Sequence, residues 1–313
     1  MRILVVGAGA LGGYYGGRLI AAGRDVTFLV RPRRAAELTT HGLAIRSPRG
    51  DLDLGTPPHL LSEAIEAPYD LVLFTPKAYD LDGAIASTAP AVGPRTVVLP
   101  LLNGMRHIDA LRAAFGPAAV LGGLCLIPAT LESPGVVRHL GPAHGLTYGE
   151  IEGGRSPRTE AIAETFAGAN FDAVLSEHVM LEMWEKWTLL ASLAGITCLM
   201  QGSVGEIATA GGGDLAAALL DECAAIAAGA GYPPRPEALA RMRGALTDPA
   251  STITASMMRD LQRGAPVEVE HVIADLLRRR TASAAPPVSV LHAALVRLLV
   301  YDRQRLARAA AAA

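Results

Sequence analysis

At 313 residues the chain is about twice a usual domain length, enough for two domains with buried cores. Half of its residues are hydrophobic and 19% are charged, outside the composition of disordered chains. The net charge is −2, and the clusters Arg31-Pro-Arg33-Arg34 and Arg278-Arg279-Arg280 are too short for an electrostatic footprint, which excludes nucleic acid as a partner.

Arg2 to Val6 is an unbroken apolar run, the pattern of a strand buried on both faces of a parallel sheet, and it leads directly into glycines. A basic residue ahead of a short apolar run resembles an export signal, but glycines interrupt it and no cleavage region follows, so it reads as a strand. Ala10 to Ala22 carries Leu11, Tyr15, Leu19 and Ala22 near helical spacing, stops at Gly23 and gives way to the apolar run Val26 to Val30, completing a βαβ unit. The runs Asp70 to Thr75 and Thr96 to Leu102 alternate with candidate helices Asp80 to Thr88 and Met105 to Phe115. Short runs at Val120 to Thr130, Gly135 to Leu140 and Leu146 to Ile151 read as antiparallel strands added at one edge of the sheet. A helix over Pro157 to Ala167 and a strand over Phe171 to Leu175 follow.

From Glu177 onward strand signals disappear, and helices are expected over Met180 to Leu193, Asp214 to Ala230, Pro236 to Leu246, Val267 to Arg280 and Val288 to Leu306, with an Ala-rich end that frays after Arg308. The expected class is α/β: a Rossmann-type doubly wound sheet over 1–176, then an all-α domain over 177–313. Apolar surface on the helical domain would support a homodimer. No charge-free run reaches the roughly 18 residues of a membrane span. Ala208 to Ala230 comes nearest, and Asp214, Asp221 and Glu222 interrupt it. Cys125, Cys198 and Cys223 are odd in number, widely spaced and outside any CxxC or Cys/His pattern, and no HxxxH or HExxH occurs. The expectations are a cytoplasmic protein with no metal and no membrane partner.

Gly7-Ala8-Gly9-Ala10-Leu11-Gly12 fits GxGxxG after a strand and at the start of a helix, the context in which that hexapeptide holds a dinucleotide. Gly7, Gly9 and Gly12 permit the tight turn, the approach of the pyrophosphate and the helix–sheet contact, while amides around Ala10 and Leu11 face the phosphates. NAD-specific sites place an acid at the end of the second strand; here Arg31 stands there, with Arg33 and Arg34 behind it, suited to the 2′-phosphate of NADPH. Asp25 starts that strand, at its wrong end.

Hydride reduction of a ketone leaves an alkoxide, which calls for a proton donor and stabilisation of the developing charge. The chain contains only two lysines, Lys77 and Lys186. Lys77 follows the strand Leu71 to Thr75, and Asn103 follows the next such strand, both at carboxyl ends where ligands bind in open α/β sheets; Asn103-Gly104 is also an ordinary turn dipeptide. Lys186, in MWEKWT, is equally compatible with an ion pair to Glu182 one turn earlier. Tyr14, Tyr15, Trp184 and Trp187 read as packing residues, and His271 as a helix-face neighbour of Glu268 and Asp275.

The glycine turn, Arg31, FTPKAYD, LLNGM, MWEKW, SMMRDL and VEVEHV occur in one order over nearly the whole chain, and in this the chain resembles the ketopantoate reductases, the 2-dehydropantoate 2-reductase family. The resemblance implies a two-domain enzyme that uses NADPH to reduce a 2-oxo acid, as in pantothenate biosynthesis. It further implies Lys186 as the catalytic lysine, Glu268 as the acid assisting it and contacting substrate hydroxyls, and Ser256, twelve residues before Glu268, as a serine hydrogen-bonding the substrate. Lys77 and Asn103 match residues lining the nicotinamide and substrate side. One departure stands out: the family pattern carries asparagines four and eight residues after the catalytic lysine, and here those positions are Leu190 and Ala194. Buried polar groups of a substrate left without partners there would cost about 1–3 kcal/mol each, enough to redirect preference toward a less polar 2-oxo acid or ketone. A sugar, amino-acid or hydroxy-acid dehydrogenase on the same plan, and a nucleotide sensor without catalysis, are the rival readings.

Overall fold

The computed structural model describes residues 1–281 and 288–312. The chain forms two compact units, one of residues 1–102 and 107–180, the other of residues 103–106 and 181–313.

The first unit is built on a five-stranded parallel sheet. Its strands are β1 (Arg2–Val6), β2 (Asp25–Leu29), β5 (His59–Leu60), β6 (Leu71–Phe74) and β7 (Val97–Pro100), in the order β5-β2-β1-β6-β7. β1 lies in register with β2 from Arg2 opposite Asp25 to Val6 opposite Leu29, and with β6 from Ile3 opposite Leu71 to Val6 opposite Phe74. Every residue of β6 and β7 is buried, which is why these strands read as unbroken apolar runs. Helices α1 (Ala10–Ala21), α2 (Pro32–His41), α3 (Leu81–Thr88), α4 (Arg106–Phe115) and α5 (Pro157–Phe166) alternate with the strands. α2 is absent from the expected elements. Its polar sequence PRRAAELTTH hides only Leu38 fully, and Pro32 at its first turn supplies the start signal.

The later strands do more than extend one edge. The expected single run over Val120 to Thr130 is two strands, β8 (Gly122–Leu126) and β9 (Ala129–Ser133). β8 pairs antiparallel with β11 (Gly145–Gly149), which pairs parallel with β12 (Asp172–Leu175). Leu121 N, just before β8, donates to Val98 O on β7, so this three-stranded sheet does continue from the parallel sheet's edge. β9, however, joins β10 (Val136–His139), which runs parallel to β3 (Ala44–Arg46), itself paired with β4 (Leu52–Asp53). That four-stranded sheet recruits a segment 92 residues upstream, Val136 lying opposite Ala44, a pairing no local pattern announces.

α1 lies between the two sheets, and its four glycines make that possible. A Cβ on Gly16 would meet the Phe28 ring at 2.6 Å, on the face turned to the parallel sheet, and one on Gly12 would sit 1.9 Å from Gly7 O. On the adjoining face, Cβ atoms at Gly13 and Gly17 would meet Val137 and Ile45 of the four-stranded sheet, each at 2.8 Å. Tertiary packing thus outweighs the roughly 1 kcal/mol helix penalty of each glycine. Tyr14 and Tyr15 are wholly buried here: the Tyr14 hydroxyl lies 2.9 Å from His144 Nδ1, and the Tyr15 hydroxyl donates to Gly145 O. Burial holds the His144 imidazole below its ordinary pKa, against the opposing pull of Asp172 at 3.7 Å.

The second unit is helical: α6 (Val179–Met200), α7 (Val204–Ile207), α8 (Gly213–Gly229), α9 (Pro236–Thr247), α10 (Ser256–Gln262), α11 (Asp275–Arg278) and α12 (Val290–Ala312). α6 outruns its expected end at Leu193. Gly195 and the β-branched Ile196 and Thr197 weaken the local signal, but Gly195 admits Leu219 of α8, whose Cδ2 would lie 2.8 Å from a Cβ there. The helix expected from Val267 is shorter and irregular: a wide turn over Glu270–Ala274 leads into α11. α12, conversely, continues through the Ala-rich end to Ala312. Glu185 of α6 accepts from Arg235 three times, from its backbone N and from Nε and Nη2 at 2.9, 2.8 and 2.5 Å, fixing the start of α9. Burial raises the Glu185 pKa, but these donors outweigh it and leave the carboxyl below its ordinary value. Among the described residues no single helix is long and apolar enough to cross a membrane; α6 with Val204–Gly229 passes only as a pair bent by 64°.

Candidate functional site

The turn after β1 is braced from both sides. Thr75, just past β6, donates to Val6 O at 2.8 Å and lies 3.2 Å from Gly7 O. Arg34 of α2 donates through Nε and Nη2 to Ala8 O at 3.0 and 2.6 Å, its guanidinium also paired with Glu37. Gly7 adopts φ +92°, a conformation that disfavours side chains, and Gly12 has no room for one. Gly9 is different. Its φ of −79° and ψ of −157° suit any residue, and a Cβ there would meet no protein atom within 4 Å. The protein's own packing does not ask for glycine at this position, whereas a phosphate approaching the backbone does. Gly9 is also the residue capping α1 without a side-chain bond, so the first amides of the helix, from Ala10, Leu11 and Gly12, are left for an anion. The cradle therefore fits a dinucleotide pyrophosphate.

The arginines after β2 divide into three roles. Arg34 is committed to the turn, as above. Arg33 is exposed and pairs with Glu37 at 3.3 Å. Arg31 caps α2 at the carboxyl end of β2, the end that carries the glycine turn, and its Nη2 donates to Asp80 Oδ1 at 2.7 Å. Asp25 lies opposite Arg2, at the other end of the strand. Sequence reasoning singled out neither Arg34 as a brace nor Asp80. The first depends on α2 being helical; the second joins residues 49 apart. Lys77 is exposed, at the cap of the short turn Ala78–Asp80 after β6.

The remaining candidates all belong to the second unit. Lys186 is half-buried on α6, and among the described residues it forms no ion pair with Glu182, whose Oε2 is buried without a hydrogen-bond partner. Leu190 is half-buried and Ala194 buried on successive turns of the same helix. Ser256 begins α10 and is exposed; Glu268 is half-buried immediately before the helical turn at Val269. Both are tied to α6 through their neighbours: Ala255 N donates to Thr197 Oγ1 at 3.5 Å, and Trp187 Nε1 donates to Val272 O at 2.9 Å. Asn103 joins this unit through Gly104, which has φ +80° and where a Cβ would lie 2.4 Å from His271 O. The structure thus groups Lys186, Ser256, Glu268 and Asn103 in one unit, and the glycine turn, Arg31 and Lys77 in the other. Trp184 and Trp187 are buried, Trp184 stacking on Tyr232 at 5.7 Å. His271 is buried and feels both Glu268 and Asp275; burial and then Arg106 lower its pKa, and its Nε2 has no hydrogen-bond partner. No three His, Cys, Asp or Glu side chains among the described residues are arranged to hold a metal ion. The three cysteines are buried and form no disulfide among the described residues, and burial pushes the Cys198 and Cys223 thiols up to about 12.

A Rossmann-type sheet with this cradle, followed by a helical unit, defines a pyridine-nucleotide oxidoreductase. Residues 3–153 match the family model described as "Ketopantoate reductase PanE/ApbA", and residues 178–298 match "Ketopantoate reductase PanE/ApbA C terminal". The chain belongs to the ketopantoate reductase family, whose members act on CH–OH groups. It is 37% identical over 298 residues to the uncharacterized oxidoreductase YkpB of Bacillus subtilis (strain 168), covering 94% of this chain and 98% of that protein. A 2-dehydropantoate 2-reductase from Geobacter metallireducens GS-15 superposes with a TM-score of 0.86 at 28% identity, over 96% of this chain and 99% of that one. A D-mandelate dehydrogenase solved with NADH and anilino(oxo)acetate has a TM-score of 0.85 at 20% identity, over 97% and 99% of the two chains, a likeness of fold.

Proposed function

We propose that the protein is an NADPH-dependent reductase of a 2-oxo acid, with 2-dehydropantoate as the first candidate substrate. The observation that carries this reading is Gly9, a glycine that the fold does not require and a dinucleotide does. Arg31 follows β2 at its carboxyl end, where that strand carries no acid of its own, and this supports the 2′-phosphate over a bare ribose hydroxyl. When bound, the nicotinamide supplies a hydride to the substrate's carbonyl carbon. Lys186 is placed in the role of donor, giving a proton or hydrogen bond to the oxygen as negative charge develops on it. Glu268 assists that lysine and receives substrate hydroxyls, Ser256 hydrogen-bonds the substrate, and Asn103 and Lys77 line the nicotinamide and substrate side.

Leu190 and Ala194 favour a second reading, a less polar 2-oxo acid or ketone as substrate. They offer no hydrogen bonds where the family pattern carries two asparagines, so a polar substrate would lose partners that an apolar one does not need. Steady-state oxidation of NADPH with 2-dehydropantoate and a panel of branched and aromatic 2-oxo acids decides between the two. Turnover of 2-dehydropantoate at or above the others supports the first candidate; negligible turnover with it, and activity on an apolar member, establishes the second. Binding of NADPH with no turnover of any member would overturn both in favour of a nucleotide sensor.

A further inference from the structure

The three arginines that follow β2 are not equally available to an anion. Arg34 is turned inward onto Ala8 O, and Glu37 pairs with both Arg33 and Arg34. Arg31 is the one at the strand end, and it is held by Asp80, which reaches it from the turn after β6. Asp80 occupies the position that caps α3, where a carboxylate ordinarily bonds the first free amides, yet its side chain makes no cap bond. Its carboxylate is instead spent on Arg31, at 2.7 Å, in a pair that water still reaches, with the two side chains 68% and 33% exposed.

We propose that Asp80 is a specificity-determining residue for the cofactor, one that tempers the preference of Arg31 for a 2′-phosphate. The proposal rests on the reading that Arg31 faces the ribose 2′ position. A 2′-phosphate carries up to two negative charges and must share Arg31 with the carboxylate already bonded to it, so part of the attraction is cancelled by like-charge repulsion. A ribose 2′-hydroxyl is neutral and donates, and a carboxylate is the acceptor used for it in NAD-binding sites. Asp80 thus provides, from a different strand end, the acid that β2 lacks. The protein is expected to bind both NADPH and NADH, with a narrower preference than an arginine cluster alone would give.

The test is the equilibrium affinity of the full chain for NADPH and for NADH, measured by calorimetry or nucleotide fluorescence, in the unaltered protein and in Asp80→Asn and Arg31→Ala. Asparagine keeps the shape and the capping capacity of aspartate, and a melting curve on each variant establishes that the fold is intact. Asp80→Asn is expected to tighten NADPH about three- to tenfold while leaving NADH unchanged or weaker, with the gain shrinking as salt is raised. An unchanged NADPH-to-NADH ratio overturns the proposal, and so does weaker NADPH binding, which would make Asp80 a brace that positions Arg31 for phosphate. Arg31→Ala separates the proposal from its foundation. If that variant loses NADPH affinity while Asp80→Asn changes nothing, only the role of Asp80 falls; if Arg31→Ala leaves NADPH affinity unchanged, the reading of Arg31 falls and the role of Asp80 with it.

Discussion

In the turn after β1 the groups that would meet a ligand are the backbone amides that open α1, at Ala10, Leu11 and Gly12, whereas the candidate chemistry of the helical unit rests on side chains at positions 103, 186, 256 and 268. The first arrangement is built where the chain is continuous, and its requirements are steric: a left-handed turn at Gly7, no side chain at Gly12, open approach at Gly9. The second is assembled by packing, through Trp187 to Val272, Thr197 to Ala255 and Gly104 against His271. A backbone cradle therefore fails by losing shape, and a side-chain cluster by losing function while the fold survives.

That contrast can be broken most sharply within the cradle itself. Gly12→Ala forces a Cβ against Gly7 O, a backbone atom that cannot step aside, and should lower stability by about 2–3 kcal/mol or more and abolish nucleotide binding. Gly9→Ala should leave the unfolding free energy within about 0.5 kcal/mol of the parent yet weaken NADPH by about tenfold or more, because its Cβ points where the phosphates are expected. Denaturation and nucleotide titration of both variants check this; equal loss of stability in the two would remove the distinction. In the helical unit, Lys186→Ala should reduce kcat by about 10²- to 10⁴-fold while leaving nucleotide affinity and stability nearly unchanged, as stopped-flow and equilibrium titration would show.

Acid separates the units less completely. His144 in the first and His271 in the second both have pKa values lowered in the fold. Their contribution is therefore present above 6.5, the unfolded value, and is lost as pH falls through the depressed folded values. Glu185, also depressed, adds a loss confined to the second unit that begins below 4.5. Thermal melts between pH 7 and pH 3 should show stability falling in both windows, with His144→Gln flattening the upper one and Glu185→Gln the lower. The smallest effect expected is a gain. Gly83 in α3 and Gly244 in α9 have open space at Cβ and helical backbone, so alanine at either should stabilise by about 0.4–1 kcal/mol, read as a shift in denaturant midpoint.

The same contrast governs what the amino-acid sequence discloses. β1, α1 and β2 are legible because buried parallel strands are apolar throughout and the glycines fall between them. β3 and β4 are not, since three- and two-residue strands carry no periodicity and the partner of β3 is β10. α2 hides behind its polar composition, and with it the role of Arg34, which depends on the first turn of that helix aiming a guanidinium at Ala8. Gly7, Gly9 and Gly12 announce themselves by spacing. Lys186, Ser256 and Glu268 gain meaning only from their joint order along the chain, because nothing local marks a lysine on a helix or a glutamate before one as chemical. Asp80 could have been suspected only by pairing the strand ends across the sheet, which requires the order β2-β1-β6.

Scarcity of lysine gives the molecule an experimental property of its own. One amine, Lys77, belongs to the sheet unit and is exposed; the other, Lys186, belongs to the helical unit and is half-buried. Reductive methylation with isotope-labelled formaldehyde would therefore place one lysine-borne nuclear magnetic resonance reporter in each unit. Nucleotide and 2-oxo acid could then be titrated independently and followed at two addresses in the same sample, without a single substitution in the chain.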